Sequence, residues 1–156
     1  MPAMQLIATE FCFTARAELA ATQTVGDMSQ GIRCFVPILG GTVHGPLLSG
    51  SIAAGGGDWQ IIVSPRRIEV EARYFIRTDD DFLIAVFNRG LRRAEPDVMQ
   101  RLVNGEEVPS DQYYFRTLPR FEAPVDSPHA WLNESVFVAT AARERAAAVI
   151  HFHRVM

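Results

Sequence analysis

The sequence predicts an all-β fold, a single antiparallel β-barrel of roughly 8 to 10 strands with one short helix near residues 96–103. Three observations carry that expectation. Apolar residues recur mainly at a period of two, glycine and proline punctuate the chain at short intervals, and no strand–helix unit repeats. The last of these excludes a parallel α/β architecture. Closure is favoured over an open sandwich because the sequence offers many strands, several glycine bends and little edge protection, and a closed barrel has no edges.

The elements follow in order. Ile7, Thr9, Phe11 and Phe13 alternate with Leu6, Ala8, Cys12 and Thr14, so Leu6 to Leu19 reads as the first strand. A polar stretch, Ala21 to Gln30, interrupts the pattern. Ile32 to Leu39 resumes it, closed by Gly40-Gly41, and Thr42 to Ile52 follows as another strand with Gly45-Pro46 marking a bulge, bend or edge. Gly55-Gly56-Gly57 permits positive φ and reads as a tight connection into a short strand, Asp58 to Val63.

Pro65 opens the clearest strand. Ile68, Val70, Ala72, Tyr74 and Ile76 face one way, and Arg67, Glu69, Glu71, Arg73 and Arg77 the other. The acidic turn Asp79-Asp80-Asp81 then leads into Phe82 to Arg89, an almost wholly apolar run at hairpin spacing. The helix is expected over Pro96 to Val103, with Pro96 in a tolerated first-turn position, Val98, Met99 and Leu102 at helical spacing, and Asn104-Gly105 as a stop. Tyr113 to Thr117 alternates again before Pro119, Pro124 and Pro128, which mark an irregular segment expected to cross the barrel end. Trp131 to Thr140 and Ala146 to Val155 complete the set, joined by the charged turn Arg143-Glu144-Arg145.

At 156 residues the chain fits one domain, 1–156, large enough to bury a core without disulfides or a structural metal. A hydrophobic share of 48% against 21% charged is globular rather than disordered. The net charge of −3 and a pI near 5.8 argue against general attraction to nucleic acid or anionic membrane, so neither is expected as a partner. No window holds the ~18 apolar residues of a membrane span, and Met1-Pro2-Ala3-Met4-Gln5-Leu6 lacks a signal peptide's basic start, so a cytoplasmic location is expected. Cys12 and Cys34 lie in apolar runs that could make them cross-strand neighbours, and they read as reduced core residues. An exposed apolar barrel face would permit a homodimer.

Several classes lack their signatures. No nucleophile elbow, phosphate loop, dinucleotide fingerprint or cysteine–histidine motif occurs, so no cofactor is expected. His151 and His153 share a strand face, but zinc or iron would need a third converging ligand, so no metal is expected either.

The motifs Gly40-Gly41-Thr42, Gly55-Gly56-Gly57-Asp58-Trp59, Ala72-Arg73-Tyr74, Asn88-Arg89-Gly90, Tyr114-Phe115-Arg116-Thr117, Pro119-Arg120-Phe121-Glu122 and Trp131-Leu132-Asn133 invite comparison. Together they resemble the DUF3237 (UPF0311) family of small bacterial and fungal β-barrel proteins of unknown function. The resemblance runs from about Phe11 to the last strand. It implies the barrel, and it implies no activity. Asp58, Trp59, Arg73, Tyr74, Arg116, Glu122, Trp131 and Asn133 fall on its motifs, whereas His44 does not clearly belong to them.

Those positions supply the candidate site. Asp58 could stand as a general base at a barrel mouth with Trp59 as a ligand wall, or it could cap the glycine turn while Trp59 fills the core. Arg73 and Arg116 could hold a carboxylate, phenolate or enolate, with Glu122 as a second acid/base candidate, or the three could form a structural ion-pair network. Tyr74, Tyr114 and Trp131 could line a ligand cavity or simply pack, and Asn133 could meet a ligand carbonyl or satisfy backbone at a bulge. Three readings stand side by side. One is a cofactor-independent isomerase or lyase moving a proton on a small carbonyl or aromatic compound, another a non-catalytic carrier or sensor, and the third a purely structural barrel.

Overall fold

The computed structural model describes all 156 residues, Met1–Met156. Ten strands and one α-helix follow the chain: β1 (Thr9–Leu19), β2 (Gln23–Met28), β3 (Gly31–His44), β4 (Gly50–Ile52), β5 (Gly56–Ser64), β6 (Arg67–Thr78), β7 (Leu83–Arg93), α1 (Pro96–Val103), β8 (Tyr114–Glu122), β9 (Phe137–Glu144) and β10 (Ala147–Val155). All pair antiparallel. The order β1-β10-β9-β8-β7-β6-β4-β3 closes on itself through β1 and β3, which pair from Thr14↔His44 to Leu19↔Ile38.

The result is an eight-stave barrel in which two staves are composite. β4 and β5 lie end to end between β3 and β6, because Gly41 to Val43 pair with β4 while Ile32 to Ile38 pair with β5. β2 similarly extends β1 along β3, from Gln23↔Phe35 to Met28↔Gly31. Antiparallel closure and the Pro96–Val103 helix agree with the sequence reading.

Local differences have physical causes. The polar stretch after β1 contains β2, whose side chains are nearly all exposed, so it shows no apolar alternation. β3 does not stop at Gly40-Gly41 but runs through it, and the strand expected over Thr42 to Ile52 divides between the end of β3 and the short β4. β8 likewise continues past Pro119 to Glu122. Trp131 lies in a 3-10 turn, Ala130–Glu134, and β9 starts only at Phe137. Cys12 and Cys34 are free and buried, but they are not cross-strand neighbours: Cys34 pairs with Thr24 and Gln60, far along β3 from the β1 contact.

Alternation places Ile68, Val70, Tyr74 and Ile76 inside and leaves Arg67, Glu69, Arg73 and Arg77 outside on β6. One pole is filled by aromatic rings. Phe13 stacks on Phe152 at 4.6 Å between centroids, and Phe121 meets Phe137 edge-on at 4.9 Å. At the other pole α1 buries Met99 and Leu102 in the same core as Ile68, Phe115 and Val108. On the α1 side of the aromatic cluster the barrel interior becomes polar.

Candidate functional site

The inward positions of five neighbouring staves carry polar side chains toward the end of the barrel where β1, β7 and β9 finish and β8 and β10 begin. β5 supplies Asp58 and Gln60, β6 Tyr74, β7 Asn88 and Arg92, β8 Thr117 and β9 Arg143. Each follows from a period of two: Asn88 and Arg92 continue the inward row of Ile84 and Val86, and Arg143 continues Ala139 and Ala141. Apolar residues from β1, β3 and β10, among them Ala17, Ile38 and Ile150, complete the walls of a cavity of about 50 Å³.

Asp58 is held from two directions. Gln60 Nε2 donates to its Oδ2 at 2.7 Å, and the Glu71 backbone N–H donates to its Oδ1 at 2.9 Å. Burial nevertheless raises its pKa above the ordinary carboxylate value. Both hydrogen bonds and the positive charges of Arg92 and Arg143 act in the opposite direction without cancelling it. Arg92 is only 3% exposed. Burial first, then the nearby Arg143 charge, lowers its pKa to about 10, so it stays cationic at neutral pH. Arg143 is also lowered by burial, and burial raises Tyr74 so that it keeps its proton.

The cavity concentrates unmet hydrogen-bonding capacity. Six buried side-chain polar atoms in the chain lack a partner, and five of them, Tyr74 Oη, Asn88 Oδ1, Arg92 Nε, Thr117 Oγ1 and Arg143 Nε, belong to residues lining this one space. Buried polar groups are ordinarily satisfied, so their convergence sets this cavity apart from the rest of the interior.

Of the residues singled out from the sequence, Asp58 and Tyr74 line this cavity. Trp59 and Arg73 do not join them. They lie on the outer wall in an open groove of about 1140 Å³, where Trp59 is 45% exposed and packs on Phe35, and Arg73 pairs with Glu71 at 3.1 Å. Tyr114 and Arg116 occupy a second outer groove, with the Arg116 guanidinium 5.1 Å from the Tyr114 ring centroid. Glu122 is exposed on β8 opposite Ala85. Trp131 packs against Phe137 and beneath Arg154, away from the cavity. Asn133 binds backbone, accepting from the Ala123 N–H at 2.8 Å and donating to the Ala123 carbonyl at 2.9 Å.

The sequence reading missed Gln60, Asn88, Arg92, Thr117 and Arg143. The signal was present in strand parity: extending each apolar row inward by two or four residues reaches each of them. His151 and His153 lie outside on β10 against Phe11, and no group of three or more His, Cys, Asp or Glu side chains is placed to hold a metal ion.

The comparisons agree with this architecture. A protein of unknown function from Rhodopseudomonas palustris, solved by crystallography, superposes with a TM-score of 0.91 at 36% identity, covering 98% of this chain and all (100%) of that one. A β-barrel-like protein from Acinetobacter baumannii gives 0.85 at 32% identity with 100% of both chains covered. An enzyme from Penicillium herquei shares the fold at a TM-score of 0.71, with 19% identity and 100% of both chains covered. In sequence, a UPF0311 protein of Rhodopseudomonas palustris strain TIE-1 is 38% identical over 148 residues, 95% of this chain and 96% of its own. The DUF3237 profile, described as a protein of unknown function, matches residues 7–155, and the chain therefore belongs to the DUF3237 family.

Proposed function

We propose that the barrel binds a small carbonyl compound in its interior and moves a proton on it without a cofactor, with Asp58 as the acid/base. The observation that carries this is the meeting of a carboxyl whose pKa is raised with five unpartnered polar atoms around one cavity. Each Asp58 oxygen accepts one hydrogen bond and retains a second lone pair, so the ionised carboxylate can take a proton from carbon α to the carbonyl. The C–H electron pair moves into the new carbon–carbon double bond and the carbonyl π pair onto oxygen. The Arg92 and Arg143 guanidiniums stabilise the resulting enolate, and Tyr74 Oη and Thr117 Oγ1 can donate to it. Reprotonation by Asp58 at the same or a neighbouring carbon returns the carboxylate and completes an exchange or an isomerisation.

One observation favours the carrier reading. Both Asp58 oxygens are already engaged by Gln60 and the Glu71 amide, an arrangement that also suits a carboxylate shaping a passive binding site. Deuterium wash-in separates the two. In D2O, with acetone and hydroxyacetone as probes, the wild-type protein is expected to accelerate loss of the α-proton NMR signal, and Asp58→Asn to slow it by about 100-fold or more. An Asp58→Asn protein exchanging as fast as wild type ends the acid/base assignment, and no exchange by the wild type on either probe favours the carrier.

A further inference from the structure

The cavity contains two guanidiniums, Arg92 and Arg143, and a single carboxyl, Asp58. None of the chain's eight ion pairs includes any of the three. Both Asp58 oxygens face other donors, and Nε of each arginine meets no acceptor. At least one positive charge is therefore left uncompensated inside the barrel. An unpaired buried charge is among the costliest features a fold can contain, and it becomes favourable when a counter-charge with matched hydrogen bonds arrives.

We infer that the interior cavity takes the carboxylate head of a small organic acid, bound between Arg92 on β7 and Arg143 on β9. This rests on the reading of the barrel interior as the binding site and adds the charge and shape of what enters. A guanidinium presents coplanar N–H donors that match a planar carboxylate. Two of them on different staves, with the Tyr74 and Thr117 hydroxyls unpartnered nearby, offer more donors than a neutral carbonyl can use. Size agrees with this head group. About 50 Å³ holds roughly three to five water-sized groups, the bulk of a carboxylate and one or two further atoms.

Acetate and acetamide test the inference, because they share size and shape and differ in charge. Thermal unfolding of the full chain is followed in a chloride-free buffer lacking carboxylates, with each compound titrated separately. Acetate is expected to raise Tm in a saturable manner with an affinity at least about tenfold above that of acetamide. Arg92→Gln and Arg143→Gln are each expected to abolish the acetate response. Each should also melt no lower than wild type without acetate, since it removes an uncompensated charge; a structural arginine would behave oppositely. Acetamide stabilising as well as acetate would overturn the charge assignment and leave the interior site standing. Neither compound shifting Tm would overturn both. An acetate response that survives in both arginine variants would place the binding on the surface and likewise sink the inference.

Discussion

Asp58 and Trp59 are adjacent in sequence and serve opposite sides of one wall. A strand sends consecutive side chains to opposite faces, so the carboxyl enters the cavity and the indole joins the outer groove. For Asp58 the consequence is a pH dependence of stability. Its pKa in the folded protein lies above the ordinary 3.8, with burial the largest cause. As pH rises through 3.8 the unfolded chain releases this proton before the folded one does. The native state then binds more protons, and by linkage its stability falls over that interval and stays lower above it. Asp58→Asn has no such proton to lose. The difference in Tm, wild type minus variant, is expected to decline as pH increases from about the unfolded value, measured without carboxylate buffers. A difference that is flat or that grows with pH would show that the Gln60 and Glu71 hydrogen bonds, with the Arg92 and Arg143 charges, match or outweigh burial at this position.

At the scale of elements, the barrel depends on β3 passing close to β1 where the sheet closes. Gly41 pairs with Ala17 there and adopts φ +151°. A Cβ at this position would overlap the Arg16 carbonyl oxygen, which is backbone and cannot rotate away. Gly41→Ala therefore combines an unfavourable φ with steric overlap and should cost about 3 kcal/mol. For a chain of this length that lowers Tm by roughly 6 to 12 °C, readable by calorimetry, and a loss below about 1 kcal/mol would mean that β1 and β3 can separate slightly without opening the barrel. Gly41 thus permits a close approach of β3 to β1, whereas the sequence pattern suggested a strand end at Gly40-Gly41. The same limit explains other differences. Ile68 to Ile76 were legible because one face of β6 is buried and the other exposed, but β2 buries almost nothing and so leaves no pattern. Pro119 looked like a strand breaker, yet β9 pairs β8 only at Arg116 and Thr117, so β8 has no ladder partner on that side at Pro119. The site was legible only in part for a related reason. Asp58 and Tyr74 stood out as residue types on motifs, whereas Arg92 and Arg143 resembled surface charge at strand ends until closure turned their faces inward.

Across the whole molecule, the ladders are unequal, and the inequality falls beside the cavity. β6 and β7 pair over eleven positions from Arg67↔Arg93 to Arg77↔Leu83, while β8 and β9 pair over two, Arg116↔Thr140 and Thr117↔Ala139. Beyond that point a side chain substitutes for the ladder, with the Arg143 backbone N–H donating to Tyr113 Oη at 2.9 Å. Phe115 and Thr117 on β8 and Ala141 and Arg143 on β9 line the cavity directly behind this seam. A barrel opens first where fewest backbone bonds must break, so the β8–β9 seam is where the cavity wall is expected to open. Amides of Thr117, Ala139, Ala141 and Arg143, which face the seam, should therefore exchange with solvent by local opening, while those along β6 and β7 exchange only on global unfolding. Ligand binding between Arg92 and Arg143 joins β7 to β9 across the seam, so acetate should slow exchange there more than elsewhere. Hydrogen exchange read residue by residue by NMR, with and without acetate, checks both parts. Uniform protection across all staves would remove the seam as the place of opening, and equal slowing of β6 and β9 would mean that the bound anion stabilises the barrel globally without bridging the seam.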